Sequence, residues 1–275
     1  MDAISKPQRT ELSGRAVLIT GAGDGLGRAY ALDIARHGAA VLVNDVNADT
    51  ANAVVEEIRA AGGAAEVDVR PIGTAEAGEA TVEACVKAFG KIDGLITNAG
   101  IFTQALPTDM PSERAEQIIR TNLMGVIHNG VAALRHMQKA GRGAIVNIVS
   151  ASMFGIPEIS VYGASKGGVL TLTYAWAKAC AGTGIHVHGL SPFAMTTMMK
   201  QSTAQFHSGS QPEDIAPLAT FLISDKAAPL NGKIIRLTAN KLHVLTPAEF
   251  GPPLGEQEDW DIDSIGEALK GSVDA

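Results

Sequence analysis

A glycine-rich turn between two apolar runs constrains the fold of this chain more than any other feature. The segment VLITGAGDGLGRAYALDIARHGAAVLVNDV holds Gly21, Gly25 and Gly27 in the turn, and its second apolar run ends in Asp45. This order predicts a strand, a tight turn, a helix and a second, parallel strand. Backbone N–H groups at such a turn can approach a pyrophosphate, because the helix dipole favours negative charge there. The segment therefore predicts a dinucleotide-binding unit.

The carboxylate of Asp45 distinguishes between the two nicotinamide dinucleotides. At the end of the second strand it can accept hydrogen bonds from the adenosine ribose hydroxyls, and it would repel a 2′-phosphate. The turn itself carries Asp24 and no basic residue after Gly21. Asp45 could also be a helix N-cap or turn residue, but the combination predicts NAD as the cofactor.

Short apolar runs alternate with helical patterns along the 275 residues. Most of the runs are continuously apolar, which is typical of parallel strands covered on both faces. The alternation predicts a doubly wound α/β Rossmann fold with a seven-stranded parallel sheet. The predicted strands are 16–20, 40–44, 65–69, 94–97, 144–149, 185–190 and 233–238.

The composition changes after Thr238, where a Pro/Gly-rich stretch is followed by clustered Asp and Glu. We expect an N-terminal tail (1–13), an NAD-binding domain (14–240) and a C-terminal extension (241–275). The extension is interpreted as a solvated surface segment. A strap over a neighbouring subunit or over the substrate mouth is the alternative.

Charge and hydropathy exclude several classes of function. The net charge is −7, and no Lys/Arg cluster offsets it, which argues against a nucleic-acid partner. No apolar run reaches the roughly 18 residues needed to span a bilayer, so we expect a cytoplasmic protein with no membrane contact. The histidines and cysteines do not fall at metal-ligand spacing, so no metal site is predicted.

A tyrosine and a lysine lie four residues apart in SASMFGIPEISVYGASK. In a helix, Tyr162 and Lys166 share one face, one turn apart. Such a pair alone is more often structural than catalytic. Ser150, which directly follows a predicted strand, and Ser152 are the nearby hydroxyls that could join it.

Several motifs in a fixed order resemble those of the short-chain dehydrogenase/reductase family. They are TGAGDGLG, TNAG, NLMG, YGASK and SPF, in which Phe193 stands where the family usually has Gly. The N-terminal part is also similar to the dehydrogenase domains of peroxisomal multifunctional enzymes of type 2. That resemblance implies NAD and a 3-hydroxyacyl-CoA or hydroxysteroid substrate.

The resemblance implies a hydride-transfer site with four catalytic residues. Tyr162 would be the acid/base, with a pKa lowered by the Lys166 ammonium, and Lys166 would also hold the nicotinamide ribose. Asn122 would hold a water, and Ser150 would bind the substrate oxygen. Ser150 is one residue nearer to Tyr162 than the family spacing, so Ser152 stays open as the alternative; the strand end favours Ser150.

The cofactor contacts that the resemblance implies are Gly21, Asp24, Gly25, Leu26, Gly27, Asp45, Val46, Asn98, Ala99, Gly100, Tyr162, Lys166, Pro192 and Thr196. The usual adenine-facing Asp aligns with Arg70–Pro71, and Asp68 is a possible substitute. Segments 101–106 and 151–159, with the methionine-rich stretch after Pro192 as a lid, would line an apolar substrate cleft. Lys200 and Arg114 are the obvious basic residues for a CoA group.

The sequence thus predicts an NAD-dependent oxidoreductase, acting as a dimer or tetramer. Its small-molecule substrate would be a lipophilic, hydroxysteroid-like or 3-hydroxyacyl-CoA-like secondary alcohol or ketone. The alternative is a catalytically silent dinucleotide-binding protein with a regulatory or scaffold role.

Overall fold

A computed structural model of the chain describes residues 11–194, 210–238 and 241–270. Eight strands in these ranges form one sheet in the order β3-β2-β1-β4-β5-β6-β7-β8. Strands β1 to β7 are parallel, and β8 pairs with β7 in the antiparallel direction. The strands are β1 (Ala16–Thr20), β2 (Ala40–Asn44), β3 (Ala65–Asp68), β4 (Gly94–Thr97), β5 (Gly143–Ile148), β6 (Ile185–Pro192), β7 (Ile234–Thr238) and β8 (Lys241–Val244).

The doubly wound parallel sheet predicted from the sequence is confirmed, and all seven predicted strands form within two residues of their expected ends. The eighth strand was not predicted, because KLHV is short and every one of its residues is exposed. Such a strand covers the edge of a sheet without carrying the apolar pattern of a buried strand.

Helices pack on both faces of the sheet. On one face lie α1, α2 and α7, with Tyr30, Ile34 and Val54 among the buried side chains. On the other face lie α3, α5 and α6. The helices are α1 (Gly25–Arg36), α2 (Ala48–Ala60), α3 (Ala75–Phe89), α4 (Ser112–Ile119), α5 (Gly125–Ala140), α6 (Ser160–Ala179), α7 (Pro212–Ile223) and α8 (Ile262–Lys270).

The strand order reverses between β1 and β4. The connection from β1 runs to β2 on one side, whereas the chain returns through α3 to β4 on the other. This reversal opens a crevice beyond the carboxyl ends of the strands, which is where open α/β sheets bind ligands. The glycine turn after β1 and Asn98 after β4 lie at this edge.

The chain divides into two compact units after Leu245. The first unit includes Leu12, which is fully buried and whose N–H donates to the carbonyl oxygen of His37 at 2.9 Å. The second unit contains α8, where the Asp261 carboxylate accepts a hydrogen bond from the Ser264 N–H at 2.8 Å. No helix in the described ranges is long and apolar enough to cross a membrane.

Candidate active site

The glycine turn packs so tightly that side chains are excluded at two positions. Gly21 has φ = 63°, and a Cβ added to it would lie 2.7 Å from the Cα of Ala99. A Cβ on Gly27 would lie 2.0 Å from the carbonyl oxygen of Gly21. Because real Cβ atoms do not approach other atoms so closely, only glycine fits there. The glycines predicted from the sequence as cofactor contacts thus also close the turn onto β4.

The side chain of Asn98 holds the backbone of this turn by hydrogen bonds. Its side-chain Nδ2 donates to the carbonyl oxygens of Thr20 at 3.1 Å and Gly21 at 2.8 Å. The Thr20 hydroxyl oxygen accepts hydrogen bonds from the N–H groups of Asn98 and Ala99, both at 3.1 Å. The side-chain amide is therefore used to hold the backbone of the turn. Thr20 was not singled out from the sequence, although it begins the glycine motif.

A carboxylate is held beside the turn at the end of β2. Asp45 accepts hydrogen bonds from the Gly23 N–H at 2.9 Å and from the Asn47 N–H at 3.0 Å. A Cβ on Gly23 would lie 3.0 Å from this carboxylate. Both bonds fix the orientation of the carboxylate, which remains partly exposed next to the exposed side chain of Val46.

The first turn of α1 is suited to a phosphate group. Asp24 is the N-cap residue, but its side chain makes no capping hydrogen bond to the described residues, and the first turn holds no acidic residue. The N–H groups of Gly25, Leu26 and Gly27 therefore lack a side-chain cap at the positive end of the helix dipole. With Asp45 nearby, these residues fit the pyrophosphate and ribose of a dinucleotide.

Lys166 lies in α6, one helical turn after Tyr162, and its side chain reaches the end of β5. Its side chain is only 2% exposed, and Nζ donates to the carbonyl oxygen of Ile148 at 2.7 Å. Nζ lies 5.7 Å from the centroid of the Tyr162 ring. Burial lowers the pKa of Lys166 to about 8, because the ammonium loses water that one carbonyl only partly replaces.

Tyr162 is protonated at neutral pH in this site. Loss of water around the phenol raises the pKa of Tyr162 to about 12, and a hydrogen bond with Ser150 opposes that rise. The expectation that Lys166 would lower this pKa below its ordinary value is wrong for this structure. Desolvation, which disfavours the charged phenolate, outweighs the favourable contacts.

Of the two candidate serines, Ser150 is the one whose side chain acts on the Tyr162 phenol, where it opposes the rise of that pKa. It precedes a 3-10 turn (Ala151–Phe154), and its Oγ also accepts from the Ser152 N–H at 3.2 Å. Ser152 is 3% exposed, and its Oγ has no hydrogen-bond partner in the described part of the chain. Its carbonyl oxygen would be 2.5 Å from a Cβ on Gly163, so Ser152 packs against α6.

Asn122 lies in a π-helical turn (Arg120–Met124) between α4 and α5. It is fully buried, and its amide exchanges two hydrogen bonds of 2.8 Å with the backbone of Ile101. Its Nδ2 also lies 3.3 Å from the Ser165 hydroxyl. Such π-turns are frequent at functional sites, and this one ties the loop after β4 to α6.

Two segments predicted to line the substrate cleft are joined at its rim. The Ala105 N–H donates to the carbonyl oxygen of Glu158 at 2.8 Å. The Phe102 ring meets that of Tyr162 edge-on, with centroids 6.2 Å apart. Leu106 is 48% exposed and Phe154 is 66% exposed, so both segments present apolar surface.

Other sequence candidates are engaged elsewhere. Arg114 donates to Thr103 Oγ1 at 2.6 Å and to the carbonyl oxygen of Phe102 at 3.3 Å, so it braces the loop after β4. Asp68 is buried; it accepts from Asn44 Nδ2 at 2.8 Å and pairs with Arg70. Thr196, Lys200 and the methionine-rich lid lie outside the described residues.

Comparison with known proteins identifies the family. The profile described as short chain dehydrogenase matches residues 15–207. The chain belongs to the short-chain dehydrogenase family. Members bind a nicotinamide dinucleotide, and the chain is an oxidoreductase of this kind.

Individual relatives span most of the chain. It is 32% identical to a 3-oxoacyl-(acyl-carrier-protein) reductase of Thermotoga maritima over 82% of this chain and 96% of that one. It is 34% identical to the peroxisomal hydratase-dehydrogenase-epimerase of Saccharomyces cerevisiae over 85% of this chain and 27% of that one. A short chain dehydrogenase structure from Mycobacterium avium superposes with a TM-score of 0.87 at 31% identity, covering 94% of both chains.

Proposed function

We propose that this short-chain dehydrogenase interconverts a lipophilic secondary alcohol and its ketone with NAD(H), and that Tyr162 is its acid/base. One observation carries the proposal: the Ser150 side chain acts on the Tyr162 phenol and opposes the rise of its pKa, while Nζ of the buried Lys166 lies 5.7 Å from the centroid of that ring. Hydroxyl, phenol and ammonium thus meet at the carboxyl end of β5, where the family binds substrate.

Each residue of the site has a different role at the substrate oxygen. A bound nicotinamide supplies or accepts the hydride. Ser150 donates a hydrogen bond to the substrate oxygen and holds it next to the Tyr162 hydroxyl. In ketone reduction Tyr162 gives its proton to that oxygen, because an alkoxide is a much stronger base than a phenolate. Lys166 stabilises the resulting phenolate, and Asn122 positions α6 through its contacts to Ile101 and Ser165.

With a pKa of about 12, the Tyr162 phenol holds its proton at neutral pH, which is the form that ketone reduction requires. Alcohol oxidation requires the phenolate, whose fraction rises with pH. We therefore expect the rate of oxidation to increase steadily as the pH is raised.

The proposed preference for NAD over NADP rests on the charges at the end of β2. Asp45 presents a carboxylate to the ribose position, and its hydrogen bonds keep it there. Two nearby arginines are engaged with acidic partners: Arg28 lies 2.5 Å from Glu57, and Arg70 lies 2.8 Å from Asp68. A 2′-phosphate would thus meet the Asp45 carboxylate, whereas both of these arginines are already paired with acidic side chains.

The test is a Tyr162→Phe variant assayed against a panel of secondary alcohols and ketones at NADH absorbance. We expect turnover to fall by roughly a thousandfold or more, since general acid–base catalysis contributes about 10²–10⁴. NADH should bind to both proteins with similar affinity. Tyr174→Phe is the matched control, because Tyr174 lies on the same helix and its hydroxyl oxygen is buried without a hydrogen-bond partner in the described part of the chain.

Substantial activity in Tyr162→Phe would contradict the mechanism. NADH binding without turnover of any substrate by the wild-type protein would instead favour the regulatory or scaffold alternative. Tighter binding of NADPH than NADH would contradict the assignment of NAD.

A further inference from the structure

We infer that Arg236 forms an anion-binding position at the substrate cleft and receives a carboxylate carried by the substrate. The inference rests on the proposed function and narrows it, because it makes the preferred substrate a lipophilic alcohol or ketone that also bears an acid group. Arg236 lies in β7, outside every motif that identifies the family.

The guanidinium of Arg236 is held in a fixed orientation. Its Cζ lies 5.3 Å from the centroid of the Phe193 ring, and Nε donates to Thr238 Oγ1 at 2.9 Å. Stacking on a ring and a bond from Nε together fix the plane of the group. The terminal nitrogens make no hydrogen bond or ion pair with residues 11–194, 210–238 or 241–270. A preoriented pair of donors of this kind matches the two oxygens of a carboxylate.

This group lies on the same face of the sheet as the catalytic helix. Ile234, two residues earlier in β7, packs in one apolar cluster with Val169 of α6. Because side chains alternate along a strand, Arg236 points to that same face, one step nearer to the carboxyl edge. Its partner in the register is Ser191, and Phe193 follows two residues later.

The sheet geometry gives the spacing between the backbone positions of Arg236 and Ser150. Ser150 directly follows β5, which is separated from β7 by β6 alone. Neighbouring strands lie about 4.8 Å apart, so the two positions are about 10 Å apart along the sheet. Because the two positions lie on different strands, the preferred substrate should carry its carboxylate several carbon atoms away from the carbonyl or carbinol carbon.

Strand β8 adds positive charge to this position. Its antiparallel register places His243 opposite Arg236 and Lys241 opposite Thr238. Side chains directly opposite each other share a face of the sheet, so Lys241 and His243 join Arg236 there. Neither β7 nor β8 contains an acidic residue. The result is a local cationic surface in a protein whose net charge is −7.

Direct binding tests the position without requiring turnover. Decanoate and methyl decanoate are titrated calorimetrically into the full-length protein, with and without NADH. We expect the wild-type protein to bind decanoate more tightly, and Arg236→Gln to weaken decanoate binding by roughly tenfold to a hundredfold, as for the loss of charge-assisted hydrogen bonds. Methyl decanoate binding should not change.

Lys233→Gln is the matched control, because it removes an equal charge from the exposed residue just before β7, at the opposite end of the strand. It should leave decanoate binding unchanged. Arg236→Lys keeps the charge but not the planar fork, so an intermediate loss is expected. If circular dichroism shows that Arg236→Gln folds poorly, Arg236→Lys is used to test decanoate binding instead.

Turnover separates this inference from the proposed function. A straight-chain oxo acid with several carbon atoms between its ketone and carboxylate is compared with its methyl ester, and Arg236→Gln should lower kcat/KM for the acid alone. The anion position is refuted, and the dehydrogenase activity stands, if the wild-type protein turns over the acid and the ester with equal kcat/KM. The same conclusion follows if Arg236→Gln lowers kcat/KM equally for the acid and the ester. If neither is reduced but Arg236→Gln still loses decanoate binding, the proposed function fails and the anion position stands. Equal binding of decanoate and its ester by the wild-type protein overturns the inference.

Discussion

The ammonium of Lys166 donates to the backbone carbonyl oxygen of Ile148 at 2.7 Å, in a position where only 2% of its side chain is exposed. A charged group is thus kept at the end of β5 with little water around it. Burying a charge in this way costs free energy, which a single hydrogen bond to a carbonyl only partly offsets. This cost lowers the free energy of unfolding, which can be measured.

Lys166→Met should stabilise the fold near neutral pH. The folded pKa of about 8 lies below the ordinary value of 10.5, so between these values the unfolded chain binds more protons than the folded one. Stability of the wild-type protein therefore rises with pH through this window, whereas the variant lacks this term. We expect its advantage to shrink by about 2 kcal/mol between pH 7 and pH 9.5, as measured by urea unfolding.

The control for this experiment is Lys178→Met, an exposed lysine near the end of the same helix. Its stability difference from the wild-type protein should not vary over that range. A constant difference for Lys166→Met as well would mean that the buried ammonium keeps its ordinary pKa.

Ser150→Ala should lower kcat much more than Ser152→Ala. The Ser150 side chain acts on the Tyr162 phenol, and removing a donor that stabilises charge on the reacting oxygen costs about 10²–10³ in kcat. The buried Ser152 Oγ has no partner in the described residues, so its removal should leave kcat within a few-fold and should not lower the thermal midpoint. Steady-state kinetics and thermal melts on both variants decide the assignment, and a larger kcat loss in Ser152→Ala would reverse it.

Asn98→Ala should loosen the glycine turn. It leaves the carbonyl oxygens of Thr20 and Gly21 without their side-chain donor, at a cost of about 1–3 kcal/mol in unfolding free energy. NADH affinity should fall with it, because the turn loses its orientation. The matched control is Asn52→Ala, whose exposed amide donates to the Ala48 carbonyl oxygen in α2. Unchanged NADH affinity in Asn98→Ala would show that the turn keeps its shape without the amide.

Asp45→Ser should shift the preference between dinucleotides. The substitution removes the carboxylate that would repel a 2′-phosphate, whereas a hydroxyl can still accept from the Gly23 N–H. We expect the ratio of NADPH to NADH affinity to rise by about tenfold or more, equivalent to about 1.4 kcal/mol. Fluorescence titration measures both. Asp49→Ser, which removes an exposed charge in the first turn of α2, should not change the ratio; an equal shift in both variants would point to net charge instead.

The strands were predictable from the sequence because most of the buried parallel strands are continuous apolar runs. The strand β8 was not, because its pairing with β7 is made by backbone hydrogen bonds and leaves all its side chains exposed. The π-turn at Asn122 was hidden for a related reason. Its residues suit an ordinary helix, and the hydrogen bonds with Ile101 that accompany the turn are long-range.

By itself the sequence determined the doubly wound sheet, the glycine turn and the membership of Tyr162 and Lys166 in one helix face, because local periodicity and spacing carry that information. Tertiary structure decided which serine meets Tyr162, the direction in which burial moves the two pKa values, and the meeting of Arg236 with Phe193. These outcomes depend on distances between segments far apart in the chain and on how much water each side chain loses. Neither quantity can be read from local pattern, because both arise only when the strands and helices pack.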